Sequence, residues 1–157
     1  MKHLLENQYL LVQSSRKVLL DYCDNLGSDE FKKVHAGFGN GGSIRNLLVH
    51  IANTYQHWVG VYGLQKNILF TPYEKISSAS ECGHLFLTVD EIVGEFLEHF
   101  KDDYFLKMSA PFKDITVSST PLQVFTHVIT HEFHHKGQIL SIGRQSGYLP
   151  VDTDVIR

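Results

Sequence analysis

The chain has no apolar run near the roughly 20 residues needed to cross a bilayer. Its opening, "MKHLLENQYLLV", breaks its apolar positions with charges, so no signal-peptide core is read there. Basic blocks are also missing. Fourteen Lys and Arg stand against 17 Asp and Glu, a net charge of −3. That balance removes the electrostatic case for nucleic acid or an anionic membrane as partner. Cysteine is scarce: Cys23 and Cys82 form neither a disulfide framework nor a spaced thiolate pair for metal. Repeats and low-complexity tracts are absent as well. These absences lead us to expect a cytoplasmic protein with reduced thiols that binds neither membrane nor nucleic acid.

What is present suits one helical domain over residues 1–157, with 43% hydrophobic residues to build a core. Four segments carry helical periodicity. In the first, Leu5, Tyr9, Val12, Leu19, Cys23 and Leu26 recur three, four or seven apart, ending near Asn25–Gly27. After the glycine-rich "GFGNGGS", Ser43 reads as the N-cap of a second helix. Its stripe is Ile44, Leu47, Leu48, Ile51, Tyr55, Trp58, Val59 and Tyr62. A third helix is expected to start at "TVDE", where Thr88 and Glu91 have capping-box spacing, and to turn Ile92, Val93, Phe96, Leu97 and Phe100 inward. The fourth begins at "TPLQ", with Thr120 as N-cap and Pro at the first helical position, and runs to about Gly147. The stretch Leu64–Leu87 is too long for a tight turn and reads as a crossover with a short helix around "YEKISSASE". "KMSAPFKDITVSS" is expected to be irregular or to hold one extended piece, "DITV". The expected fold is therefore all-α, a four-helix bundle with a long connection between helices two and three.

Histidine is concentrated. Of ten in the chain, four fall within "THVITHEFHHKGQ", residues 126–138. His131 and His135 lie roughly 40° apart on a helix and one turn apart in height, so both imidazoles can converge on one ion. His50, on the second helix, is the best third ligand, because it sits roughly 120° from the centre of that helix's apolar stripe. Ligands on the flanks of two neighbouring helices describe a site in a cleft. Taken alone, His50 reads more readily as a surface or boundary histidine that bonds locally. Three neutral imidazoles would leave an ion dicationic with an open position, as in catalytic rather than closed structural sites. His127 is left out, since three histidines at successive i+4 positions span about 12 Å. His134 is expected to be exposed or to support a ligand from behind, His57 too far from His50 to share an ion, and His3, His35, His84 and His99 solvated.

"HEFHH" also satisfies the H-E-x-x-H pattern of zinc proteases. Only 22 residues follow His135, and they contain no His or Glu that could supply the third ligand of such an enzyme. Asp152 and Asp154 come after the expected helix end. A protease is therefore not expected. Glu132 has two readings: a proton relay, or a buried hydrogen-bond partner.

Two segments, "SIRNLLVHIANTYQHWVG" (43–60) and "HVITHEFHHKGQILSIGRQSGY" (127–148), together resemble the DinB/YfiT-like family. The second is similar to that family's H-x-x-x-H-E-x-x-H-[RK]-G-Q segment, with Lys136 where Arg is frequent. Lys keeps the charge but lacks the planar fork. The resemblance implies a four-helix bundle holding a metal on His50, His131 and His135, zinc or nickel above all, with iron also suited. It further implies a homodimer and, as the leading activity, transfer of a low-molecular-weight thiol to small electrophilic molecules. Metal-dependent hydrolysis of a small molecule and a non-catalytic metal- or ligand-binding role in stress response are the alternatives.

Overall fold

The computed structural model describes residues 1–112 and 114–157. Helix α1 (Lys2–Asp24) buries Leu5, Tyr9, Val12, Leu19 and Cys23 along one face, as their spacing predicts. A five-residue helix, α2 (Ser28–Lys32), follows and plugs Phe31 into the core. It is too short to show periodicity and was not expected. The glycine-rich loop then turns back on itself. A Cβ at Gly42, where φ is +64°, would lie 2.3 Å from the His35 carbonyl oxygen, so only glycine fits there.

Helix α3 (Ile44–Tyr55) starts where the sequence predicts. The Ser43 hydroxyl accepts from the Asn46 amide at 3.1 Å. Beyond Tyr55 the helix widens into a π-helix over Gln56–Gly63. This wider winding displaces Trp58 from the expected stripe. It is half-buried at the edge of a cleft, while Tyr55, Val59 and Tyr62 stay inside.

Helix α4 (Ala79–His99) begins well before Thr88. Its true cap is Ser78, whose hydroxyl accepts from the Glu81 amide at 3.2 Å, while Glu81 accepts in turn from the Ser77 amide at 2.8 Å. Cys82 and Phe86 extend the buried stripe backwards from Val89, so Thr88 and Glu91 lie mid-helix and cap nothing. The connection after α3 is correspondingly shorter than expected, with one 3₁₀ turn at Tyr73–Lys75.

The all-α expectation also needs amendment. Strands β1 (Met108–Phe112) and β2 (Ile115–Ser119) pair antiparallel, with Met108 opposite Ser119. The expected extended piece falls in β2, but its partner was missed. A two-stranded ribbon tolerates Pro111 in β1 because both strands are edges. The Tyr62 hydroxyl pins the hairpin to the π-helical turn. It lies 3.1 Å from the Met108 carbonyl and accepts from the Ser119 hydroxyl at 3.0 Å.

Helix α5 (Pro121–Gln145) has the expected capping box: Thr120 accepts from the Gln123 amide, and Gln123 accepts from the Thr120 amide. Among the described residues the chain is thus mostly helical, with five α-helices and one small sheet. Helix α1 packs on α4 and α5, and α3 packs on α4 and α5. The α3–α5 contact is the one that builds the site. No helix among the described residues is long and apolar enough to cross a membrane.

Candidate metal centre

His50 projects from the flank of α3, and His131 and His135 from the facing flank of α5. The His131 Nε2 lies 3.0 Å from the His50 Nε2 and 3.1 Å from the His135 Nε2. The three rings are mutually edge-on, with centroids 4.4 to 5.0 Å apart. An ion about 2.1 Å from each imidazole nitrogen would hold adjacent ligands roughly 3.0–3.4 Å apart, and the His50–His131 and His131–His135 spacings match that range.

Proton accounting points the same way. Gln138 Oε1 lies 2.6 Å from His135 Nδ1, which must carry the hydrogen, leaving a lone pair on His135 Nε2. The Thr54 hydroxyl donates to the His50 carbonyl at 2.8 Å and turns its oxygen towards His131 Nε2 at 3.3 Å. The His131 nitrogen therefore faces two imidazoles and a hydroxyl oxygen, and a single N–H there could answer only one of them. Burial and the neighbouring imidazoles push His50 and His131 down to about 4. His135 is lowered as well, by burial first. The cluster is neutral at neutral pH, with lone pairs aimed at a common point. Such a donor set suits a divalent ion. Among the described residues it is the one group of three His, Cys, Asp or Glu close enough to hold a metal.

The other histidines lie outside it. His127 stacks beside His131 and edge-on to Trp58, at 5.6 and 5.3 Å between centroids. His134 contacts the Gln138 carboxamide at the exposed side. His35, expected to be solvated, is half-buried and lies 2.8 Å from Glu30.

Glu132 faces away from the cluster. Its carboxylate is fully buried and receives Arg16 Nε at 3.0 Å, Arg16 Nη2 at 2.8 Å and the Tyr55 hydroxyl at 2.7 Å. The Lys136 ammonium adds an ion pair at 3.1 Å. Burial alone would raise its pKa, but Arg16, Lys136 and Tyr55 outweigh it and keep the carboxylate below its usual range. With Glu132 committed in this way, the general base that a zinc protease needs is missing, and the "HEFHH" pattern loses that meaning. Arg16 was not singled out from sequence, although a signal was there. It occupies the gap between Val12 and Leu19 in the α1 stripe, where a charged residue must find a buried partner.

Beside the three histidines opens a cleft of about 290 Å³, lined by His50, Asn53, Thr54, His57, Trp58 and Phe70. Asn53 fixes its outer wall. Its carboxamide donates to the Thr71 carbonyl at 2.9 Å and accepts from the Thr71 amide at 3.1 Å. The connection after α3 is thereby tied to α3, with Phe70 lining the cleft.

Comparison with known protein families gives a match described as the DinB family over residues 1–157, the whole chain. None of the curated proteins matches the chain.

Proposed function

The chain belongs to the DinB family, and on that premise we propose that it binds a divalent metal through His50, His131 and His135 and acts as a thiol-dependent transferase on small electrophilic molecules. The observation that carries this reading is the convergence of three neutral imidazole nitrogens at the edge of an open cleft. A divalent ion held there, zinc or nickel for preference and iron as a further fit, would supply a Lewis acid that lowers the pKa of a thiol beside it.

The chain's own residues do the rest. Gln138 keeps His135 in the tautomer that presents Nε2. Three neutral ligands bring no negative charge, so an anionic sulfur is favoured beside them. The cleft is sized for a small molecule and holds it next to the histidines. In the transfer the thiol sulfur bonds to the electrophilic carbon, the leaving group departs with its electron pair, and the thiol proton passes to solvent.

The hydrolytic alternative would need a base other than a carboxylate of the cluster. Among the described residues no carboxylate joins the cluster. We read the whole chain as one four-helix-bundle domain. The contacts α1–α4, α4–α3, α3–α5 and α5–α1, which close a ring of long helices, support that reading. Exposed Leu4, Leu11 and Leu87 offer apolar surface for a homodimer.

The test has two stages. Zinc and nickel content is measured on loaded wild type and on His50→Ala, His131→Ala and His135→Ala variants. One equivalent in wild type and a large loss in each variant are expected; no stoichiometric metal in wild type would overturn the reading. The loaded protein is then incubated with a panel of low-molecular-weight thiols and 1-chloro-2,4-dinitrobenzene or monochlorobimane. Turnover no higher than in the metal-depleted protein would leave a metal-binding protein without transferase activity.

A further inference from the structure

The walls of the cleft beside the histidines are mostly rings, and the Asn53 and Thr54 side chains among them are already engaged. Trp58 and Phe70 flank His57, whose ring lies 5.1 Å from the indole and 6.1 Å from the phenyl between centroids. Behind Trp58 the His127 ring stands edge-on at 5.3 Å and leads on to His131 at 5.6 Å, so aromatic surface runs unbroken from the cleft to the cluster. Asn53 is closed onto the Thr71 backbone, and the Thr54 hydroxyl proton goes to the His50 carbonyl. Among the described residues no Asp, Glu, Lys or Arg lines the space. Asn53 and Thr54 therefore offer a charged or strongly hydrogen-bonding ligand little in exchange for its lost water. A flat apolar ring would find edges and faces at contact distance, and about 290 Å³ accommodates one ring with its substituents.

We infer that the cleft formed by His57, Trp58 and Phe70 binds a planar, uncharged aromatic ring, so that the electrophile taken by the proposed transferase is an activated arene. This rests on the transferase reading for the chemistry but not for the binding. The π-helical turn is what makes the pocket: it swings Trp58 out of the core and sets it beside His57 on the flank that carries His50 and Thr54. The Asn53–Thr71 pair supplies the opposite wall by holding Phe70 in place.

Trp58 is the single tryptophan of the chain, so its indole N–H gives one NMR signal that reports the cleft directly. Metal-free protein is titrated with 1,3-dinitrobenzene, an unreactive flat ring, and with nitrocyclohexane as a non-planar counterpart. A saturable shift of the Trp58 signal is expected with the arene, and binding about fivefold or more weaker is expected for nitrocyclohexane and for the Phe70→Ala protein. Phe70 is partly exposed on a connecting segment, so its loss leaves the helical core intact. No saturable shift in wild type, equal affinity for both probes, or an unchanged affinity in Phe70→Ala would each overturn the inference. Because the titration contains no metal, failure of wild type to take up zinc or nickel overturns the metal reading alone and leaves the ring site standing.

Discussion

The Arg16 guanidinium grips the Glu132 carboxylate through two hydrogen bonds, of 3.0 and 2.8 Å, inside the core. The pair joins α1 to α5 immediately behind His131. Arg16 also donates to Asp90 at 2.7 Å, which brings α4 into the same network. The site is thus backed by a buried, charge-balanced frame rather than by apolar packing alone.

Removing Arg16 leaves the buried Glu132 carboxylate with only Lys136 and Tyr55, and a loss of up to roughly 3–5 kcal/mol is expected for Arg16→Ala. Arg16→Lys should fall between this variant and wild type, because it keeps the charge and loses the fork. Urea unfolding curves measure both. A change below about 1 kcal/mol for Arg16→Ala would show that the frame contributes little.

Gln138 is the partner that orients His135, and its Oε1 accepts the Nδ1 hydrogen at 2.6 Å. Gln138→Leu is expected to weaken zinc binding roughly 10–100-fold with the fold unchanged. Gln138→Glu should restore binding, since a carboxylate oxygen can take the same hydrogen. Competition against a chromophoric chelator gives the affinities. If the leucine variant binds zinc as wild type does, His135 is oriented by packing and not by this bond.

The histidine cluster also predicts a pH dependence for the metal-free protein. His50 and His131 are pushed down to about 4 from an ordinary 6.5. Between those values the unfolded chain binds more protons than the folded one, so stability rises with pH in that window. The contribution is complete above about pH 6.5 and is lost as pH falls towards 4. Urea midpoints at pH 7 and pH 5 should therefore differ more in wild type than in a His50→Ala, His131→Ala double variant. Equal differences would show that the two imidazoles titrate as free histidines.

Much of this arrangement could be read from residue spacing, and the gaps have physical causes. Ser43 and Thr120 announced their helices because a cap is local chemistry, complete within four residues. His50, His131 and His135 could be brought together because helical angles place them on facing flanks. Thr88 and Glu91 misled because their spacing mimics a cap, whereas the buried Cys82 and Phe86 continue the helix through them. The π-helical winding that turns Trp58 into the cleft depends on packing. A Cβ on Gly63 would sit 2.5 Å from the Phe96 ring, and one on Gly60 would sit 2.4 Å from Ile68. Contacts of that kind across the fold leave no periodic trace in sequence.

The two cysteines bear on where the reacting sulfur comes from. Both are buried; burial pushes the Cys82 thiol up to about 12, and the Cys23 thiol is raised as well. Neither belongs to the three-histidine cluster. A thiol with so high a pKa holds almost no thiolate at neutral pH, and burial denies it access to reagent. The nucleophile of the proposed transfer must therefore arrive as a separate small thiol. With an aromatic disulfide reagent at pH 8, native protein should show almost no labelling, and both cysteines should react once urea is added. Rapid labelling of one cysteine in the native state would place a reactive sulfur on the chain itself, and the requirement for an external thiol would fall with it.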